Sequence, residues 1–299
     1  MKDLVSVIVP VYNDAERLRK CLACLSAQTY SPLEVIVVDN GSDDLAAVER
    51  LVAQCSRAKM VGEALPGSYA ARNRGIAEAR GEILAFTDAD CEPVADWVEQ
   101  GMKALRSHSN CGLVGGAIQI VADDLNHPVE LYESVMALNQ EKFVTQDHYG
   151  ATANVFTYSD VVRRVGVFNA DMKSSGDVEW GQRVFAAGYA QLYAPRALVF
   201  HPARSSFAQL ARQASRHAGG FYDLHCRQAD SGLKGNLVFL KLLGFHLMPP
   251  VMFAWKVLFD PELKRLAQKI KVVMTLAFVR WVTVGTLVVL RLGGEAERE

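Results

Sequence analysis

Residues 82–93, EILAFTDADCEP, give the clearest indication of the fold. The apolar run 82–87 reads as a buried strand, and it ends directly in two carboxylates, Asp88 and Asp90. In open α/β sheets, ligands bind outside the carboxyl ends of the strands. Two carboxylates at such an end predict a site for Mg²⁺ or Mn²⁺, whose coordination shell is completed by substrate phosphates. Acidic residues also follow strands as helix caps, so the motif needs support from the rest of the chain.

Two further strands and two helices precede this motif. Residues 4–9 (LVSVIV) and 33–38 (LEVIVV) read as buried strands, because each is a short apolar run rich in β-branched residues. Helices are predicted over 14–27 and from about 43 to 55. Strands that alternate with helices predict an α/β fold with a mostly parallel, Rossmann-like sheet and helices on both faces.

The middle of the chain is mixed in character. Residues 152–157 and 188–201 read as strands, and a helix is predicted to begin near Asp177. Residues 205–219 (SSFAQLARQASRHAG) predict a basic amphipathic helix. These elements extend the α/β domain beyond the first 120 residues.

The C-terminal region, residues 221–299, is predicted to be helical and membrane-associating. It holds two strongly apolar runs, 237–259 and 272–290. The second has 19 residues with only Arg280 charged, which is close to the length that spans a bilayer, whereas polar residues and two prolines interrupt the first. Basic residues in the linker between the runs favour the cytoplasmic side of a membrane. Two buried or interfacial helices of a soluble protein are the alternative.

The overall composition makes some classes of protein, such as nucleic-acid-binding and zinc-finger proteins, less expected. A formal net charge of −1 gives no reason to expect a nucleic-acid partner. Six scattered cysteines include one C-x-x-C pair, Cys21 and Cys24, but no second pair at zinc-finger spacing, so a reduced, cytoplasmic setting is expected. The first residues, MKDLVSVIVPVYN, lack the features of a signal peptide.

Two other segments carry side chains suited to binding a ligand. In residues 67–76 (GSYAARNRGI), a glycine turn opens a helix whose first turns carry Arg72 and Asn73. The N-terminus of a helix together with an arginine can hold an anion or orient a carboxylate. Asp39 ends the second strand, where it can accept a hydrogen bond from a nucleobase imide or a ribose hydroxyl, or cap the turn.

Four segments in this order resemble the family 2 glycosyltransferases, which have the GT-A fold. They are VSVIVPVYN (5–13), VVDNGSD (37–43), ARNRGI (71–76) and FTDAD (86–90). The match continues at normal spacing to about residue 202. The resemblance implies an enzyme that moves a sugar from a nucleotide-diphosphate donor onto the hydroxyl of an acceptor.

The resemblance also implies the residues on the donor side. The end of the first strand would line the nucleotide pocket, and Asp39 would bind the base. Arg72 and Asn73 would organise the pocket, Asp88 would lie near the ribose, and Asp90 would ligate the metal that bridges the diphosphate. The implied nucleotide-binding residues are therefore Pro10, Val11, Tyr12, Asp39, Arg72, Asn73 and Asp88.

A second metal ligand is expected at His201. This residue ends a predicted strand in the sequence VFHP. In some members of the family a histidine at about this place completes the metal shell, so the resemblance implies that Asp90 and His201 share Mg²⁺ or Mn²⁺. A lone histidine at a strand end otherwise has a structural role.

The residues for the acceptor chemistry lie in segment 174–183 (SSGDVEWGQR), which resembles the family pattern Glu-Asp-x-Asp-x-x-x-Arg. By position, Asp177 matches the carboxylate that deprotonates the acceptor, Glu179 the second acid and Arg183 the arginine. Gly176 departs from the pattern, which has glutamate there. Without the resemblance, Asp177 reads as a helix N-cap.

These implications predict an inverting mechanism, because one base and a metal-stabilised leaving group allow direct displacement at the anomeric carbon. A uridine diphosphate sugar is the expected donor, and a saccharide or lipid-linked acceptor is expected at the cytoplasmic face of the cell membrane, as in polysaccharide biosynthesis. Residues 1–120 would bind the donor, 121–220 would supply the acceptor site and the base, and 221–299 would meet the membrane.

Two other classes of protein remain as alternatives. A sugar-nucleotide nucleotidyltransferase would carry a glycine-rich basic loop after the first strand, where this chain has PVYNDAE. A non-catalytic, membrane-associated protein that only binds sugar nucleotides would have no need for Asp177.

Overall fold

The computed structural model describes residues 3–136, 138–227, 231–261 and 263–294. One half of its sheet is parallel and has the strand order β3-β2-β1-β4. Every residue of β2 and β4 is buried, as expected for parallel strands that are covered on both faces. The strands predicted at 4–9, 33–38 and 82–87 are confirmed. The bounds are β1 (Val5–Val11), β2 (Leu33–Asp39), β3 (Ala58–Gly62) and β4 (Ile83–Thr87).

The other half of the sheet contains antiparallel pairs. Its strands are β5 (Glu92–Pro93), β6 (Cys111–Val121), β7 (Asn154–Tyr158) and β8 (Ala190–Pro202), and the order continues β4-β7-β6-β8-β5. Strand β7 runs antiparallel to β4 and β6, and β5 runs antiparallel to β8. The predicted α/β class is confirmed, but the sheet is mixed rather than mostly parallel. The sequence pattern indicates which strands are buried, whereas their direction depends on the connections between them.

The helices connect these strands and form the C-terminal region. The first helix buries Leu18, Leu22 and Leu25 on one face, as its spacing predicts. The bounds are α1 (Ala15–Ser26), α2 (Leu45–Ala53), α3 (Ser68–Glu78), α4 (Trp97–Arg106), α5 (Pro128–Met136), α6 (Gln140–Thr145), α7 (Ser159–Val165), α8 (Gly176–Ala186), α9 (Phe207–Tyr222), α10 (Gly232–Leu247), α11 (Val251–Leu258) and α12 (Leu266–Arg291), with a short π-helix at Asp223–Arg227.

One buried amide connects three strands and a helix. The side-chain nitrogen of Asn154 on β7 donates to the carbonyl of Ala117 on β6 at 2.7 Å and to that of Ala197 on β8 at 2.8 Å. Its side-chain oxygen accepts from the indole nitrogen of Trp97 on α4 at 2.8 Å. Asn154 and Trp97 are completely buried, so these hydrogen bonds have no competition from water. This residue fixes the spacing of the antiparallel half of the sheet.

The chain divides into two compact units. The first unit consists of Met1–Gln119, Leu138–Asp171 and Gly176–His201, and the second of Ile120–Ala137, Met172–Ser175 and Pro202–Glu299. The first unit holds most of the sheet together with α1 to α4 and α6 to α8. The division into donor, acceptor and membrane parts concerns function, and it stays a prediction.

The second unit is helical and has its own apolar core. In the described part of the chain, α12 is the one helix long and apolar enough to cross a bilayer by itself, with a mean hydropathy of 2.0; α10 and α11 reach that length only as a bent pair. Large apolar side chains, including Met252, Trp255 and Trp281, remain exposed. The core residues are Val129, Leu131, Tyr132, Leu210, Val257, Leu263, Val272 and Leu276.

Helices α10 and α11 meet at an angle of 42° around Pro249 and Pro250. A proline has no N–H, so carbonyls at the end of α10 lose their helical donors. Arg280 on α12 donates to the carbonyl of Met248 at 2.6 Å and to that of Phe245 at 3.4 Å. The one charge in the apolar run 272–290 therefore stabilises the end of a broken helix.

Candidate active site

The ends of β1 and β2 lie side by side at one edge of the sheet. Val11 is the register partner of Asp39, so Pro10, Val11 and Asp39 share this edge. The Asp39 carboxylate is buried, and its Oδ2 accepts from the backbone N–H groups of Gly41 at 3.0 Å and Ser42 at 3.1 Å. Its Oδ1 accepts no hydrogen bond from the described residues. Tyr12, one residue beyond β1, is 49% exposed. Pro10, Val11 and Asp39 thus lie together at the carboxyl ends of the strands, and their role in binding a nucleotide stays a prediction.

An ion pair joins α3 to the end of β4. Gly67, with φ +124°, makes the turn that starts α3, and Arg72 lies one turn into the helix. Arg72 is buried, and its Nη2 lies 2.5 Å from Oδ1 of Asp88. A carboxylate bound to a buried guanidinium has a fixed orientation. The structure thus brings together two of the predicted donor-side residues.

Three buried polar atoms at this edge lack a hydrogen-bond partner among the described residues. They are Oδ1 of Asp39, Nε of Arg72 and Oγ1 of Thr87, the last residue of β4. Leaving a buried polar group unpaired costs about 1–3 kcal/mol, so such groups call for an explanation. An acceptor, a donor and a hydroxyl at one edge of the sheet fit a ligand that carries both donors and acceptors, as a nucleotide does.

Asn73 uses its side chain within the protein. Its Nδ2 donates to the carbonyl of Phe168 at 2.8 Å, and its Oδ1 accepts from the Phe168 N–H at 3.0 Å. The pair of hydrogen bonds ties α3 to the segment between α7 and α8. A direct role for Asn73 in nucleotide binding stays a prediction.

Asp90 and His201 lie together, as predicted for two ligands of one metal. Strand β5 pairs Glu92 with Phe200 of β8, which places the segment after β4 beside the end of β8. Oδ2 of Asp90 lies 3.6 Å from Nε2 of His201. Cys91 contributes a third potential ligand atom, and the three atoms lie within 4.8 Å of one another.

The side chains at this cluster differ in their suitability for a metal ion. Burial, together with the charges of Asp88 and Asp90, raises the pKa of the Cys91 thiol well above its ordinary value. A protonated thiol is a poor ligand, because the thiolate is the form that binds metals. A carboxylate and an imidazole remain, and they fit a divalent cation of the Mn²⁺ type that also takes oxygen from phosphate. The donor set therefore fits the predicted metal.

A polar cavity of about 360 Å³ opens at the start of α1. Its wall includes Arg17, which pairs with Asp14 at 3.2 Å and whose Nη1 lies 3.9 Å from Oδ2 of Asp90. Burial raises the pKa of Asp14, and the charge of Asp90 adds to that rise while Arg17 opposes it. Arg17 thus brings positive charge from the wall of this cavity close to Asp90. It is lined by Asn13, Asp14, Glu16, Arg17 and Lys20.

Asp177 lies in the first turn of α8. Its Oδ1 accepts from the backbone N–H of Val178 at 2.9 Å and from the hydroxyl of Tyr69 at 3.4 Å. Burial raises the pKa of Asp177 above its ordinary value of 3.8, while the positive charge of Arg72 opposes the rise. A carboxylate whose pKa is shifted towards neutrality is a stronger base than an exposed one. Its environment therefore suits the predicted role.

Glu179 and Arg183 form a bidentate ion pair. Nε and Nη2 of Arg183 lie 2.6 and 2.9 Å from the two carboxylate oxygens of Glu179. Arg183 also donates to the carbonyls of Val165 at 2.6 Å and Val167 at 2.7 Å. This arginine anchors the segment after α7 to α8, and Glu179 orients it. The predicted catalytic role of Glu179 stays a prediction.

Several residues near the site were not predicted from the sequence. The Tyr69 hydroxyl donates to Asp177, which is 108 residues away in the sequence. The Asn73 side chain donates to the carbonyl of Phe168, which is 95 residues away. Arg17 reads as a solvated residue of an amphipathic helix. Tyr69 and Arg72 are three residues apart on α3, so they share a face; that spacing was the available clue.

Comparison with known proteins identifies relatives for this arrangement. The model of the family "Glycosyl transferase family 2" matches residues 6–165. The glycosyltransferase AglE of Haloferax volcanii is 38% identical over 223 residues, which is 72% of each chain. The pre-mycofactocin glycosyltransferase of Mycobacterium tuberculosis is 30% identical over 237 residues, which cover 76% of this chain and 48% of that protein. The chain thus spans about half the length of the mycobacterial relative.

Solved structures share the fold. The mannosyltransferase PcManGT from Pyrobaculum calidifontis, determined in complex with GDP-Man and Mn²⁺, superposes with a TM-score of 0.65 at 19% identity, over 99% of this chain and 89% of that one. Residues 1–349 of TarS from S. aureus superpose with a TM-score of 0.57 at 15% identity, over 98% of this chain and 92% of that one. At these identities the likeness concerns the fold alone.

Proposed function

The chain belongs to glycosyl transferase family 2, and from that premise we propose that it transfers a sugar from a nucleotide-diphosphate donor to an acceptor hydroxyl, with inversion at the anomeric carbon. The observation that carries the proposal is the set of unpaired buried atoms of Asp39, Arg72 and Thr87 at the strand ends. Their position beside Asp88 and Asp90 matches the place at which a sheet of this kind binds ligands.

On the donor side, each residue has a distinct part. Oδ1 of Asp39 accepts a hydrogen bond from the base, beside the apolar end of β1. Arg72 holds Asp88 towards the ribose through their 2.5 Å ion pair. Asp90 and His201 would hold a divalent cation, Mg²⁺ or Mn²⁺, which would supply positive charge to the diphosphate leaving group.

On the acceptor side, Asp177 acts as the general base. Its carboxylate takes the proton of the acceptor hydroxyl while that oxygen bonds to the anomeric carbon. The bond between the anomeric carbon and the diphosphate oxygen breaks in the same step, so the configuration inverts. The raised pKa of Asp177 supports this role, because a base with a pKa nearer to the working pH accepts a proton more effectively.

We propose that the donor is a uridine diphosphate sugar. A guanosine diphosphate sugar is the alternative donor. The test is calorimetric titration of the wild type and Asp90→Ala with UDP and GDP, each with and without Mn²⁺. Metal-dependent binding of one nucleotide, weakened at least tenfold in Asp90→Ala, is the expected result. Asp160→Ala serves as the control, because Asp160 is an exposed carboxylate on α7. Folded protein that binds neither nucleotide would contradict the proposal.

The catalytic role is tested separately from binding. Asp177→Asn should bind the nucleotide as the wild type does but should no longer transfer the sugar. This result would exclude the alternative that the protein binds sugar nucleotides without catalysis. A nucleotidyltransferase would instead form a sugar nucleotide from a sugar phosphate and a nucleoside triphosphate. Incubation with UTP or GTP and glucose-1-phosphate or mannose-1-phosphate should therefore release no pyrophosphate.

We further propose that the second unit brings the enzyme to the cytoplasmic face of the cell membrane, where a saccharide or lipid-linked acceptor is delivered. Helix α12 has the length and hydropathy of a membrane segment. Trp255 and Trp281 are 65% and 79% exposed, and tryptophan favours the boundary between lipid and water. Lys264, Arg265 and Lys269 lie between these two tryptophans in the sequence and suit anionic headgroups.

A further inference from the structure

Tyr69 lies between α3 and the start of α8, beside the proposed base. It is in the first turn of α3, and its side chain is buried. The ring stacks on that of Phe168, with 5.8 Å between centroids and 29° between planes. The hydroxyl lies 3.4 Å from Oδ1 of Asp177. The packing of the ring thus determines where the hydroxyl lies.

The ring of Tyr69 also accounts for the glycine at position 176. A Cβ atom on Gly176 would lie 2.8 Å from two carbon atoms of the Tyr69 ring, which is closer than side chains approach. The ring and a side chain at position 176 therefore exclude each other. Position 176 is where the resemblance predicted glutamate, so in this chain a tyrosine from α3 occupies the space beside the base.

The chemistry of the pair is that of a fixed donor and a charged acceptor. Burial raises the pKa of Tyr69 well above its ordinary value, and the charge of Asp177 raises it further. The phenol therefore keeps its proton at any working pH and can only donate to the carboxylate. The hydrogen bonds from Tyr69 and Val178 both fall on Oδ1 of Asp177, so Oδ2 is the oxygen available to a substrate.

In the part of the chain that the structure describes, ionisable side chains from two segments interact with Asp177. Tyr69 and Arg72 come from α3, and Tyr149 comes from the segment between α6 and β7; burial raises the pKa of Tyr149, and the charge of Asp177 raises it further. Arg72 already pairs with Asp88, and its guanidinium lies 5.6 Å from the centre of the Tyr69 ring. Tyr69 is thus the side chain from these elements that donates a hydrogen bond to the base.

We propose that Tyr69 is a positioning residue for the base. Its hydroxyl holds Oδ1 of Asp177, leaves Oδ2 for the proton of the acceptor, and favours the ionised carboxylate against the effect of burial. The proposal rests on the proposed function in one respect, namely that Asp177 is the base. Because α3 also carries Arg72, one helix orients both the donor-side carboxylate Asp88 and the base.

The first test measures the ionisation of Asp177 directly and needs no substrate. Protein labelled with ¹³C at the aspartate carboxyl carbons is titrated by NMR, and the Asp177 signal is assigned as the one absent from Asp177→Asn. In Tyr69→Phe, which keeps the ring and removes the hydroxyl, the pKa of Asp177 should rise. The control is Tyr189→Phe, because the Tyr189 hydroxyl lies 3.4 Å from a charged group, Arg164, away from Asp177. An unchanged pKa in Tyr69→Phe would overturn the proposal.

The second test measures turnover. Release of nucleoside diphosphate from UDP-glucose and GDP-mannose, with water as acceptor, is followed between pH 5 and 9. For Tyr69→Phe, kcat/KM at pH 6 should fall about fivefold, the size expected for one hydrogen bond, and the deficit should shrink as the pH rises. Nucleotide affinity should stay within twofold. A loss that is equal at every pH would contradict the proposal. If Asp177→Asn retained turnover, the base assignment itself would be wrong, which separates the two failures.

Discussion

The guanidinium of Arg72 lies 2.5 Å from the carboxylate of Asp88, and the two groups differ in exposure: the Arg72 side chain is 5% exposed and that of Asp88 is 31% exposed. The arginine is thus a buried charge whose partner is partly solvated. Removing Arg72 leaves a carboxylate that water can stabilise, whereas removing Asp88 leaves a buried cation without its partner.

Because Arg72 and Asp88 differ in exposure, we expect variants at the two positions to differ in their free energies of unfolding. Asp88→Ala should lower the free energy of unfolding by about 2–4 kcal/mol, and Arg72→Met by less, because the apolar stem of methionine keeps the packing. Chemical denaturation with urea measures both. Arg74→Ala is the control; its pair with Glu78 is exposed and one turn apart on the same helix, so its loss should cost less than about 0.5 kcal/mol. An equal loss in all three variants would contradict the interpretation.

His201 should contribute to metal affinity. His201→Ala removes an imidazole 3.6 Å from Asp90 and should weaken Mn²⁺ binding by about tenfold or more, measured by the free-ion EPR signal in the presence of the preferred nucleotide. His108→Ala is the matched control, because His108 lies on the loop before β6 and bonds to Asn110. Equal Mn²⁺ affinity in the wild type and His201→Ala would assign the histidine a structural role.

The ionised carboxylate of Asp177 should lower the stability of the folded protein at neutral pH. Its pKa is raised in the folded protein, so the folded state binds the proton more tightly than the unfolded chain does. The resulting stabilisation is complete below the ordinary pKa of 3.8 and is lost as the pH rises through the folded-state value. Asp177→Asn should therefore raise the melting temperature at pH 7.5 by about 1–3 °C, and the gain should disappear near pH 4. Asp160→Asn, an exposed change, should show no such pH-dependent gain.

Membrane binding should depend on the exposed apolar side chains of the second unit. The double variant Met252→Glu and Trp281→Glu should reduce flotation with vesicles of 70% phosphatidylcholine and 30% phosphatidylglycerol by more than tenfold, because each side chain loses about 1.5–3 kcal/mol of transfer free energy. Leu65→Glu, at an exposed leucine of the first unit, should bind as the wild type does. Unchanged flotation of the double variant would refute the proposed membrane surface.

In the parallel half of the sheet, β1, β2 and β4 could be predicted from the sequence because they are short apolar runs that end in polar motifs, whereas β3 (Ala58–Gly62) was not predicted. Asp39 and Asp88 follow such runs, so their place at the sheet edge was predictable. Strand β6 was not predicted, since Gly112, Gly115 and Gly116 give it the composition of a loop. In the structure these glycines allow close packing: a Cβ at Gly116 would lie 2.3 Å from the carbonyl oxygen of Ala197.

The contacts of the site were less predictable than its residues. Asp177 and Arg72 were predicted as site residues because they occupy positions in recognisable motifs. Tyr69 stands in the same motif as Arg72, but its contact with Asp177 depends on how α3 and α8 pack, and a periodicity carries no information about that. Asn73 shows the converse, because a polar residue in a binding motif bonds to the backbone of Phe168.

The hydrogen bonds of Asn154 have a consequence for genetics. Asn154 donates to the carbonyl of Ala197, which is four residues before His201 on the same strand, so this hydrogen bond helps to hold the strand that carries the proposed metal ligand His201. A mutational screen for lost transfer activity would recover substitutions at Asn154 and at its partner Trp97 alongside those at Asp90. Such alleles would resemble lesions of the active centre in phenotype, although they would lie in the interior of the sheet.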